Sequence, residues 1–142
     1  MSFRFFVLFI FSWPVAAGEL HLVFRESHFL NQYRHEFYIN EAQYVYIDDH
    51  FKLNDEGKWV PKIPALKIKT LNSDDQTKLI NQLVELGVGE WKSEYPASDV
   101  SLICDGLSFT LYVKSDTLNM YSSGGCDFPP NYEKVRQILE DL

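Results

Sequence analysis

Leu107-Ser108-Phe109-Thr110-Leu111-Tyr112-Val113-Lys114 alternates apolar and polar side chains without a break. This period of two predicts a strand with Leu107, Phe109, Leu111 and Val113 on a buried face. Ser108, Thr110, Tyr112 and Lys114 fall on a wet face, so the sheet is covered on one side only. A turn near Ser115-Asp116 leads to a further strand over Leu118–Tyr121. Upstream, Ile103-Cys104 runs into Asp105-Gly106, a dipeptide that favours two-residue hairpins. The expectation is a three-strand meander, followed by a loop at Ser122-Ser123-Gly124-Gly125.

That meander returns the chain to the end where Cys104 sits, so Cys126 arrives beside it. They are the only two cysteines. In an oxidising compartment such a pair predicts a structural disulfide, contributing about 3 kcal/mol in the chain-entropy picture. A redox-active pair would want close C-x-x-C spacing and basic neighbours, whereas Asp105 and Asp127 follow the two cysteines.

Downstream, Pro129-Pro130 introduces a terminal helix whose Tyr132, Val135, Leu139 and Leu142 form one apolar face. Ser73-Asp74-Asp75-Gln76 reads as a capping box with Ser73 as N-cap. Leu79, Ile80, Leu83 and Val84 give that helix its stripe, and Gly87 closes it. Strands are expected over Glu19–Arg25, His35–Ile39 and Gln43–Phe51. After the turn Asn54-Asp55-Glu56-Gly57, another covers Lys58–Leu71, interrupted by Pro61 and Pro64. Glu90–Asp99 is a loop carrying Trp91 and Tyr95. Blocks of strands with only two helices predict an α+β fold: a single domain, mainly antiparallel, with two helices packed on one sheet face.

Residues 1–17 stand apart from this domain. Arg4 precedes the apolar run Phe5–Phe11, Pro14 breaks it, and Val15-Ala16-Ala17 offers small residues for cleavage. This is the layout of a secretory signal peptide. About thirteen residues from Phe5 to Ala17 fall short of the ~20 that a spanning helix needs. The expected organisation is a cleaved signal over 1–17 and one domain over 18–142, periplasmic or secreted, with no membrane insertion after cleavage.

Without residues 1–17, which carry Arg4 and no acid, 12 basic side chains stand against 20 acidic ones, a balance of −8. Such a charge argues against nucleic acid, which is held by phosphate neutralisation, and favours a basic protein partner.

No catalytic arrangement emerges. The Ser122-Ser123 loop lacks the G-x-S-x-G frame of a nucleophile turn. Asp49 and His50 are strand neighbours and point to opposite faces. His21, His28, His35 and His50 show no metal-ligand spacing, and no cofactor motif is present. The candidate binding residues are therefore aromatic: Trp59, Trp91 and Tyr95 in or beside loops, and Tyr112 on a wet strand face.

Cys104-Asp105-Gly106, Ser108-Phe109-x-Leu111, Ser122-Ser123-Gly124 and Pro130-Asn131-Tyr132 together resemble small exported bacterial proteins. In these a D-G hairpin and an S-S-G loop precede a C-terminal helix. The resemblance covers residues 100–142 and implies the fold and an envelope setting, with no reaction to carry over. The expected function is that of a non-enzymatic exported binding protein, an inhibitor or immunity-type partner of an envelope-acting enzyme. A glycan-binding or small-molecule-binding accessory protein and a hydrolase are the alternatives.

Overall fold

The computed structural model describes residues 19–28, 33–96 and 106–142. The signal-peptide segment and Cys104 lie outside them. The elements are β1 (His21–His28), β2 (Tyr33–Asn40), β3 (Gln43–Leu53), β4 (Trp59–Pro61), β5 (Ala65–Thr70), α1 (Ser73–Glu85), β6 (Glu94–Tyr95), β7 (Leu107–Lys114), β8 (Asn119–Gly125) and α2 (Tyr132–Glu140). They form one sheet in the order β4-β3-β2-β1-β7-β8-β6, with β5 also paired to β3. Every pairing is antiparallel except the short β6–β8 pair. The α+β expectation is met.

Alternation decides which face is covered. Leu20, Leu22, Phe24, Phe37, Ile39, Tyr44, Phe109, Leu111 and Val113 point to one side of the four central strands and are buried. Leu79 and Leu83 of α1, with Tyr132, Val135 and Leu139 of α2, close over them in a single core. Burying each large apolar side chain is worth roughly 1.5–3 kcal/mol. Phe37 stacks on Tyr46 at 4.7 Å between ring centroids, and Phe109 meets Tyr132 at 5.0 Å. The helices lie side by side on this face. Asn131 Nδ2 donates to the Leu86 carbonyl at 3.2 Å, and the Tyr44 hydroxyl donates to the Leu139 carbonyl at 2.8 Å.

The hairpin β2–β3 turns on Glu41-Ala42, with Glu41 at a left-handed φ of 55°. β4 and β5 return along the outer edge of β3 as one strand broken at Lys62-Ile63-Pro64, as the two prolines predict. Proline has no N–H for a ladder, so the break and the exposed edge go together.

Three local expectations are corrected. The N-cap of α1 is Asn72, whose side-chain oxygen accepts from the Asp75 amide at 2.8 Å. Ser73 is already helical, and Gln76 Nε2 donates to the Leu71 carbonyl instead of closing a capping box. Ser122–Gly125 is strand, because the Ser122 hydroxyl donates to the Lys92 carbonyl at 2.7 Å and holds the chain in the ladder. The meander expected around β7 gives way to another pairing, with β1 and β8 taking both edges of that strand; the stretch before Asp105-Gly106 lies outside the described residues.

Candidate functional site: an uncovered face and a polar row

No helix among the described residues covers the other side of the sheet. Its centre is polar. Arg25 donates to the Tyr38 hydroxyl at 3.1 Å and Tyr38 in turn donates to Glu36 at 2.7 Å, while Arg34 pairs with Asp49 at 3.1 Å. Burial and the bond to Glu36 raise the Tyr38 pKa.

Toward the β3–β5 edge the same side turns apolar. Val45 and Ile47 stand opposite Ile68 and Leu66 in register. Farther along β3, Phe51 pairs with Pro61 and Leu53 with Trp59. Leu66 is 63% exposed, Ile68 58%, Leu53 56%, Trp59 45%, and Ile63 at the strand break 91%. Apolar side chains grouped this way at an edge differ from scattered surface leucines and form one exposed apolar patch. Five of the lysines (Lys52, Lys58, Lys62, Lys67, Lys69) lie on this arm, against only Asp55 and Glu56 between residues 52 and 69. The arm is therefore positive although the chain is strongly acidic.

The helix-covered side carries a second feature. Glu26 of β1, His35 of β2 and Asp48 of β3 stand in one cross-strand row, and His50 follows Asp48 on the same side of β3. Above this row, Tyr132, Arg136 and Glu140 of α2 recur at four-residue spacing and so share one helical stripe. The Tyr132 hydroxyl donates to the Glu26 carboxylate. Arg136 Nη1 lies 3.2 Å from Glu140 and 3.9 Å from Glu26. Glu140 in turn lies 3.9 Å from His35 Nδ1. On the other flank, one oxygen of Asp48 lies 3.0 Å from His35 Nε2 and 2.6 Å from His50 Nε2. Burial, followed by the bond to Glu26, raises the Tyr132 pKa far above its ordinary value. The ring stays a neutral donor to that carboxylate. Burial likewise pushes Tyr46 up to about 12.

The aromatic candidates divide between the two sides. Trp59 belongs to the apolar arm, and Tyr112 lies on the uncovered face, in register with Val23 and Tyr121. Trp91 and Tyr95 are buried, with their rings 6.3 and 6.2 Å from Phe109. Trp91 Nε1 donates to the Pro130 carbonyl at 3.1 Å, and the Tyr95 hydroxyl accepts from the Lys92 amide. A glycan surface built on Trp59, Trp91 and Tyr95 thus retains one exposed ring of three. The Cys126 amide donates to the Leu107 carbonyl at 3.0 Å; Cys104, three residues before Leu107 in the sequence, is outside the described residues.

Sequence spacing gave no reason to join His35 to Asp48 and His50. The signal was nonetheless present. Asp48-x-His50 is same-face spacing on a strand, and a two-residue turn at Glu41-Ala42 fixes residue 35 opposite residue 48. No family model, curated protein sequence or solved structure matches the chain.

Proposed function

We propose that the chain is an exported, non-enzymatic binding protein of the bacterial envelope, docking a protein partner on the β3–β5 arm to inhibit or neutralise it. The observation that carries the reading is the run of exposed apolar side chains on that arm, with Trp59, Leu53, Leu66 and Ile68 at its centre. Tryptophan is among the side chains that dominate binding energy when a partner desolvates them, and the exposed aliphatics around Trp59 add apolar area to bury. The acidic remainder of the molecule favours approach of a partner that is basic overall, and such complementarity acts mainly on the encounter rate. Export is supported by the leader pattern of residues 1–17. The disulfide is supported by the place of Cys126 beside Leu107.

The test uses the full chain expressed with its own N-terminus. Intact mass of the native product should begin at Gly18 and be two hydrogens lighter than the dithiol. Capture from envelope extract should give one stoichiometric partner that Ile68→Asp loses and Tyr112→Ala keeps. Ile68 is exposed, so the charge reports on docking and leaves the core intact. A partner retained by Ile68→Asp would overturn the reading. Sedimentation with anionic vesicles that Ile68→Asp abolishes would replace the protein partner with a lipid surface.

A further inference from the structure

We propose that His35, Asp48 and His50 form a binding site for a single first-row divalent transition-metal ion, such as Zn2+. The inference is independent of the docking arm, which lies on the opposite side of the sheet. The three side chains offer two imidazole nitrogens and a carboxylate oxygen, all within 4.8 Å of one another. Two imidazoles with one carboxylate form a donor set that suits zinc, copper, iron and nickel far better than calcium or magnesium.

Backbone pairing fixes the positions from which these donors converge. His35 and Asp48 are cross-strand partners, and His50 stands two residues along the same strand. Both histidines turn Nε2 toward the same oxygen of Asp48, at 3.0 and 2.6 Å, and their rings stand nearly perpendicular, 5.4 Å apart. A metal with ligand bonds of about 2.0–2.2 Å needs tetrahedral ligand atoms roughly 3.3–3.5 Å from one another. Opening each nitrogen–oxygen pair by several tenths of an ångström, and drawing together the two nitrogens, which already lie within 4.8 Å of one another, reaches that spacing.

The surroundings match what a metal-bound histidine asks for. The second nitrogen of such a ring usually faces a carboxylate, which fixes its orientation and makes it a better ligand. His35 Nδ1 faces Glu140, and Arg136 holds that carboxylate 3.2 Å away. His50, the most exposed of the three, leaves the approach from solvent open. Three protein ligands with an open fourth position are the arrangement of an accessible ion rather than a closed structural one.

The test is calorimetric titration of the purified, chelator-treated full chain with ZnCl2 alone. One site per chain is expected, weakened at least 100-fold by His50→Ala and by Asp48→Asn, and unchanged by His21→Ala. Histidine-ring NMR of the unmodified chain serves as the second measurement, because it holds even where a variant fails to fold. Zinc should shift the ring resonances of His35 and His50 and leave those of His21 and His28 in place. Absence of one-to-one binding, full affinity in His50→Ala, or shifts confined to His21 and His28 would each overturn the site.

Discussion

Gly124 and Gly125 are adjacent in one strand, yet the structure gives them opposite tolerances. A methyl group built at Gly124 would stand 2.7 Å from a ring carbon of Phe109, 2.8 Å from Tyr95 Cβ and 2.9 Å from the Asp127 carbonyl oxygen. Two of those three neighbours are a backbone atom and a Cβ, which cannot swing aside. At Gly125 the nearest atom is the Leu107 carbonyl oxygen at 3.7 Å, an ordinary contact. Neither glycine has a left-handed φ, so the comparison isolates crowding from backbone conformation. Overpacking a well-filled core by a methyl costs about 1–3 kcal/mol. Replacing glycine where an alanine fits gains about 0.4–1 kcal/mol by restricting the unfolded chain. Gly124→Ala should therefore be about 1–3 kcal/mol less stable than Gly125→Ala, which shares that offset, and Gly125→Ala should leave stability unchanged or raise it slightly. For a domain of this size, each kcal/mol moves the melting temperature by about 4 °C. Urea denaturation with a shared slope for both variants measures the difference directly. Equal midpoints for the two would show that β8 does not seat Gly124 against Phe109 and Tyr95.

Other variants probe the remaining contacts. Asn72→Ala should cost about 1 kcal/mol by removing the cap on the Asp75 amide, whereas Ser73→Ala should cost little; the reverse order in thermal melts would restore the capping box. Tyr44→Phe should lose about 0.5–1.5 kcal/mol with its bond to the Leu139 carbonyl, and an unchanged urea midpoint would refute the contact. In alkali, Tyr46 is held up to about 12 by burial, and Tyr44 and Tyr132 are raised as well. Their neutral rings favour the fold fully below pH 10, the unfolded value. That contribution falls between pH 10 and 12 for Tyr46, so stability should drop steeply there. A urea midpoint that stays constant between pH 10 and 12 would contradict it.

Periodicity made the fold legible and left the site hidden, for a physical reason. Leu107–Lys114 reports its own burial because every second residue shares a face. The loop expected at Ser122-Ser123-Gly124-Gly125 shows the limit. Small polar residues favour turns locally, but here Gly124 is small because Phe109 and Tyr95 press on it. The cap of α1 fell one residue early for a similar reason, since Asn72 and Ser73 are both good caps and only the geometry chooses. Trp91 and Tyr95 looked like surface aromatics because their segment lacks a period, and burial against Phe109 is a tertiary fact. The His35–Asp48–His50 cluster depends on strand register. That register needed the Glu41-Ala42 turn, where glutamate adopts a conformation that sequence patterns assign to glycine or asparagine.

The central place of β1 has a consequence for how the molecule comes together. Its two ladder partners are β2, which follows it closely, and β7, which the chain reaches only after β2–β6 and α1 have been made. No contiguous half of the polypeptide can complete the sheet on its own, since the middle of the ladder joins the two ends of the sequence. Assembly must wait for a long-range encounter and should be correspondingly slow. Until β7 arrives, the first strand presents an open, greasy margin that any other extended chain could occupy.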